Sequence, residues 1–161
     1  MNTNRALNPT RRVAYAFVGL LGGNAALLLF LLQNAIRLRA SLLAMHMGEP
    51  ARQIPLALEM FVLYAPFSFV GWLLVGLPTA LFFPARSITR LSWPLTMLVG
   101  AALGPLALVV IFVLLSHGHL EISGTFRGSG WLWAYSILIS TVSFVLYVFL
   151  LRKEKIVAHT Y

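Results

Sequence analysis

The residues best spaced for chemistry in this 161-residue chain are His117, His119 and Glu121. In an extended segment, side chains two positions apart face the same way, which would align both imidazoles with the carboxylate. Two histidines and a carboxylate can ligate a divalent metal. His46 and Glu49, assigned below to the same side of a membrane, could complete the shell. Gly118 loosens the backbone between the histidines, and exposed loop histidines are common. A metal site there is not favoured, and no cofactor is expected.

Glu59 and Asn24 form the other candidate site, because each lies in an apolar segment where an ionisable or amide side chain needs a partner or a function. Glu59 follows Pro55 by four residues, in the first turns of its segment. The helix dipole favours an anion there, and Arg52 or Arg37 could pair with it. Asn24 is deeper, and a hydrogen bond to a neighbouring helix is the expected use of its amide. Gln33 and Asn34 sit near the far end of the same segment, within reach of water.

Several reaction classes are excluded by composition. Without cysteine there is no disulfide, thiolate nucleophile or cysteine-ligated metal. There is no aspartate, and Glu49, Glu59, Glu121 and Glu154 are the only acidic residues, which removes most two-carboxylate mechanisms and acidic Mg²⁺ clusters. No histidine falls in an apolar run, so a bis-histidine transmembrane haem has no axial ligands. Ser136, Ser140 and Ser143 have no His or Lys at helical spacing to activate them. An enzyme is not the expectation.

The elements that must position these residues are four runs free of Lys, Arg, Asp and Glu: Val13–Ile36, Met60–Ala85, Leu91–Ser116 and Gly128–Leu151. They hold 24, 26, 26 and 24 residues. About 20 apolar residues in a helix rising about 1.5 Å per residue cover roughly 30 Å of hydrocarbon, so each run can cross a bilayer once. The chain is 60% hydrophobic and 10% charged, with a mean hydropathy of +0.87, which a soluble fold of this size could not bury. The expectation is an all-α integral membrane bundle of four transmembrane helices, a single domain with spans near 13–36, 56–83, 91–116 and 130–151. Tails 1–12 and 152–161 flank it, and Arg152-Lys153-Glu154-Lys155 is expected to stop span 4. The first run is too long for a signal peptide and lacks a small-residue cleavage site, so it reads as an uncleaved anchor. Span 1 can continue as a helix through Leu38 and Leu42 until Gly48-Glu49-Pro50 stops it.

Lys and Arg beside the spans set orientation. The side holding both termini and the 2–3 connection carries eight of them; the other side, with Arg37, Arg39, Arg52 and Arg127, carries four. Both termini are expected in the cytoplasm, in a multi-pass bacterial inner membrane. The net charge of +8 is distributed where lipid headgroups lie, with no basic face interleaved with aromatics, so the bilayer and not nucleic acid is the expected partner.

Lipid tails are as apolar as leucine, so helices join where small residues let them approach. Gly19 and Gly23 in span 1, Gly100 and Gly104 in span 3, and Ser136, Ser140 and Ser143 in span 4 predict three interior seams. Bundle packing is the plain use of these stripes; the Gly19/Gly23 and Gly100/Gly104 faces are also the candidate surfaces for a homo-oligomer or membrane-protein partner. Pro66, Pro78 and Pro105 each remove a helical hydrogen bond and are expected to kink their spans. The functional expectation is a non-enzymatic subunit, scaffold or protective partner of a larger membrane assembly. The alternatives are a small transporter or channel component using kinked spans 2 and 3, and metal handling at the His117–Glu121 loop.

Overall fold

A computed structural model of the protein describes residues 8–46, 48–115 and 130–160, with side chains through 154. Every regular element among these residues is helical. Helix α1 is Pro9–Met45, α2 Gln53–Gly71, α3 Leu77–Phe82, α4 Ala85–Thr89, α5 Trp93–Leu115 and α6 Gly130–Thr160. A 3₁₀ turn, Pro50–Arg52, precedes α2, and a π-helical turn, Trp72–Gly76, joins α2 to α3. Four helical stretches are long and apolar enough to cross a membrane: Pro9–Met45, Pro50–Phe82, Trp93–Leu115 and Gly130–Glu154.

Local chemistry sets the ends. Asn8 caps α1 by accepting a hydrogen bond from the Thr10 amide at 3.1 Å, and Pro9 fills the first position, where an absent N–H costs nothing. At 37 residues, α1 is about 55 Å long and outruns the hydrocarbon, as the spacing of Leu38 and Leu42 suggested. Its stop comes at His46, two residues before Gly48. His46 takes a left-handed conformation (φ 52°), and its amide turns back onto the Leu42 and Leu43 carbonyls.

Arg152-Lys153-Glu154-Lys155 ends the apolar span as expected, while the helix itself runs on to Thr160, because long charged residues are good helix formers. The 2–3 connection contains the short helix α4. Pro66 and Pro105 lie within unbroken α-helix, and of the three prolines only Pro78 adjoins a change of helix type.

Helix α6 is the hub. On one side its Ser143 and Ile139 backbone lies against Gly19 and Gly23 of α1; on the other, Ser136, Ser140 and Thr141 lie against Gly104 and Gly100 of α5. A Cβ on Gly19 would sit 2.5 Å from the Ser143 carbonyl oxygen, and one on Gly100 2.9 Å from the Thr141 Cα. The three small-residue stripes therefore lie inside the bundle and meet at two seams, and α6 covers the Gly19/Gly23 and Gly100/Gly104 faces within the same chain. A partner would need another surface. Helix α2 packs on α1 through Ala57 and Tyr64 against Leu27, Leu31 and Ala35, and approaches α5 closely where Gly71 meets Ala107.

Two buried clusters result. One, at the end bearing both chain termini, joins Ala16, Ala80, Ile88, Tyr147, Val148 and Leu151. The other, toward the 1–2 connection, joins Leu27, Leu31, Ala35, Ala57, Tyr64 and Ile139.

Candidate functional site

Between the two clusters, α2 and α5 diverge over α6 and leave an intramembrane cleft with a cavity of about 100 Å³. Its walls are mostly apolar: Leu20, Phe67, Val75, Leu103, Ala107 and Ile111 contribute. The serine stripe forms the floor. Ser136 and Ser140 turn their hydroxyls onto their own helix, donating to the Trp133 carbonyl at 2.8 Å and the Ile137 carbonyl at 3.2 Å. Such back-bonding hides a hydroxyl from its surroundings. Ser143 behaves differently: its Oγ is buried with no hydrogen-bond partner.

Two more polar atoms lining the cleft are buried and unpartnered, the Trp72 indole N–H and the Tyr147 hydroxyl. Burying a donor without a partner costs about 1–3 kcal/mol, so each of these atoms would gain from a ligand. The π-helical turn sets Trp72 in place. Pro78 has no amide to offer the Leu74 carbonyl, the Leu77 amide bonds instead to the Trp72 carbonyl, and the Thr79 hydroxyl donates to the Val75 carbonyl at 2.6 Å. The indole then folds over Gly76, where a Cβ would stand 2.7 Å from its Cδ1. Phe69 stacks on it at 6.0 Å and Phe17 meets it edge-on at 5.7 Å. Tyr147 is 3% exposed.

Two of the three unpartnered atoms fall in the half of the cleft nearer the chain termini: Trp72 lies against Phe17, and Tyr147 next to Ala16 and the Arg12 guanidinium. The Ser143 hydroxyl lies deeper, against Gly23. Other polar groups at that depth already have partners. Ser68 donates to Asn24 Oδ1 at 2.8 Å and to the Ala65 carbonyl at 2.9 Å, and the Asn24 amide donates to the Leu20 carbonyl at 2.9 Å. At the far end, Tyr64 and Tyr135 meet edge-to-face at 6.0 Å. The unpartnered Trp72 and Tyr147 donors therefore lie toward the termini, while the hydroxyls of Ser68, Ser136 and Ser140 farther in are already bonded.

Arginines frame the terminal end. Arg12 donates to the Phe83 carbonyl, closing the end of α3, while its Nε is buried without a partner. Arg152 donates to the Leu91 carbonyl and lies 4.4 Å above the Trp93 ring. Arg11 pairs with Glu154 at 2.6 Å, and that bond raises the Arg11 pKa above its ordinary value.

Of the residues singled out by sequence, Asn24 sits beside the cleft as an interhelical hydrogen-bonding residue bound to Ser68. Glu59 is exposed on α2 and does not line the cleft. Arg52 lies 3.9 Å from Glu49 rather than pairing with Glu59. His46 is the exposed cap of α1, and no cluster of three potential metal ligands occurs among the described residues. His117, His119 and Glu121 lie outside the described residues. Sequence reasoning missed Trp72, which reads as a packing residue, and the paired carbonyl clamps of Arg12 and Arg152. The available signal for Trp72 was its position four residues before Gly76 and six before Pro78. Comparison with protein families, with curated proteins and with solved structures found no match.

Proposed function

We propose that this chain is a non-enzymatic, multi-pass protein of a bacterial cytoplasmic membrane that works by association, holding the hydrocarbon part of a bilayer molecule in the cleft between α2 and α5. Acting as a small subunit, scaffold or protective partner of a larger assembly belongs to the same proposal. One observation carries it: the cleft is lined by hydroxyls, an indole and hydrocarbon, with no carboxylate, imidazole, amine or guanidinium among its lining residues. Such a surface can orient a ligand by hydrogen bonds but offers no acid, base or ion ligand.

The test is stoichiometry. Extracted in mild detergent, the wild-type chain should retain about one lipid molecule per chain. Ala107→Phe, which forces a ring into the close contact with Gly71 and into the cleft beside it, should lose that molecule while eluting at the same volume with the same helicity. Equal retention by both would end the reading. Orientation is checked separately: reporters fused before Met1 and after Tyr161 should both be active in the cytoplasm.

Transport is a second reading, favoured by the π-helical turn and Pro78 beside the cleft, since broken helices line many substrate paths. Movement of a fluorescent lipid across proteoliposomes carrying the chain, lost in Ala107→Phe, would support it; absence of movement would leave binding alone.

A further inference from the structure

We infer that the occupant of the cleft is a glycerophospholipid with an anionic headgroup, drawn from the leaflet on the side of the chain termini. One acyl chain lies along the cleft, the ester region meets Trp72 and Tyr147, and the phosphate meets Arg12. This inference rests on the binding role proposed above and adds the class and direction of the ligand.

The polarity gradient carries the direction. A phospholipid entering from the terminal side places its phosphate outermost, its ester carbonyls next and its hydrocarbon toward the bilayer centre. The cleft offers matching groups in that order. Arg12 stands one turn outside Ala16, at the level where headgroups lie, with a buried Nε that no described residue satisfies. The donors come next: the Trp72 N–H and the Tyr147 hydroxyl, both buried and unpartnered. Ester carbonyls accept hydrogen bonds and do not donate, which suits an indole N–H and a hydroxyl. Beyond them, up to Tyr64, the walls are hydrocarbon, and the hydroxyls of Ser68, Ser136 and Ser140 are already bonded within the protein. Entry from the opposite leaflet would press the glycerol region against Ile111 and leave the Trp72 and Tyr147 donors facing methylenes.

Charge selects the headgroup. Arg11 is paired with Glu154 at 2.6 Å, whereas Arg12 donates to the Phe83 carbonyl, lies beside Tyr147 and has no carboxylate paired with it among the described residues. Arg90 and Lys153 are exposed at the same end. A guanidinium that already spends one N–H on a carbonyl retains donors for a phosphate.

The experiment is native mass spectrometry of the delipidated full chain, titrated with phosphatidylglycerol or phosphatidylcholine of matched acyl chains. The wild type should bind one phosphatidylglycerol per chain in preference to phosphatidylcholine. Arg12→Gln should lower phosphatidylglycerol affinity roughly fivefold, the contribution of one basic residue at a lipid surface, and leave phosphatidylcholine binding unchanged. Arg12→Lys, which keeps the charge, should restore the preference and controls for loss of the Phe83 clamp. Tyr147→Phe should weaken both lipids alike. A wild type with no preference, or an Arg12→Gln chain that keeps it, overturns the headgroup assignment while leaving the cleft as a binding site. Wild-type binding undiminished in Ala107→Phe overturns the cleft reading itself. Glycerol 3-phosphate at millimolar concentration should not compete; if it displaces the lipid, the site is one for free phosphate esters and the inference fails.

Discussion

At the scale of single residues, the amide of Asn24 shows what an apolar sequence can and cannot disclose. A carboxamide near the middle of a span needs a partner, and that much is readable from one chain. The identity of the partner depends on the register of α1 against α2, which brings Ser68 to 2.8 Å. A double-mutant cycle with Asn24→Ala and Ser68→Ala should give a coupling energy of about 0.6 kcal/mol, with about 1.7 kcal/mol as the ceiling for such bonds in lipid. Unfolding monitored in detergent micelles measures it, and additive effects would place the two side chains apart. Glu59 gives the complementary case. Its position within four residues of Pro55 marked it as ionisable within a span, but only the fold reveals that it points outward. Glu59→Gln should therefore leave stability within about 0.5 kcal/mol of wild type, as for exposed positions generally.

Among the elements, glycine spacing foretold contact, whereas proline positions alone did not say where the helix changes type. The stripes on α1, α5 and α6 foretold contact because close approach requires missing side chains, a constraint visible in one dimension. Gly104→Val should destabilise the bundle by about 1–3 kcal/mol, since its new Cβ meets the Ser136 backbone, which cannot move without shifting α6. Gly130→Ala is the internal control, with nothing within 4 Å of the added methyl, and should be nearly silent. Prolines remove a hydrogen bond wherever they stand, but whether the helix changes type depends on what lies around them. At Pro78 the neighbouring Gly76 admits the Trp72 ring and Thr79 takes up the Val75 carbonyl, so a π-helical turn is accommodated. At Pro66 and Pro105 the helix continues. Gly76→Val should expel the indole from the cleft, seen as a shift in tryptophan emission in a variant retaining only Trp72.

For the whole molecule, four apolar runs sufficed to give the helix count and the antiparallel order, because bilayer thickness dictates span length. They did not give the cleft. A cleft arises from unequal pairing: α6 is held on both sides by glycine seams, while α2 packs more extensively on α1 than on α5. The contact between Gly71 and Ala107 is a close tie on the α2–α5 side of the cleft. A Cβ on Gly71 would stand 3.1 Å from the Ala107 Cβ, near the roughly 3.5–4.5 Å separation a disulfide requires. The chain contains no cysteine, so Gly71→Cys with Ala107→Cys creates a pair with no competing thiol. Oxidation in the membrane should give an intramolecular crosslink that keeps both fragments together on a reducing-agent-sensitive gel after cleavage at a protease site inserted in the 2–3 connection. Because the crosslink pins the two walls, exchange of a bound lipid should slow in the oxidised chain and recover on reduction. Efficient crosslinking without any effect on exchange would mean that the ligand does not pass between α2 and α5. No crosslinking at all would mean that these helices do not meet at Gly71, and with that contact the cleft itself would be lost.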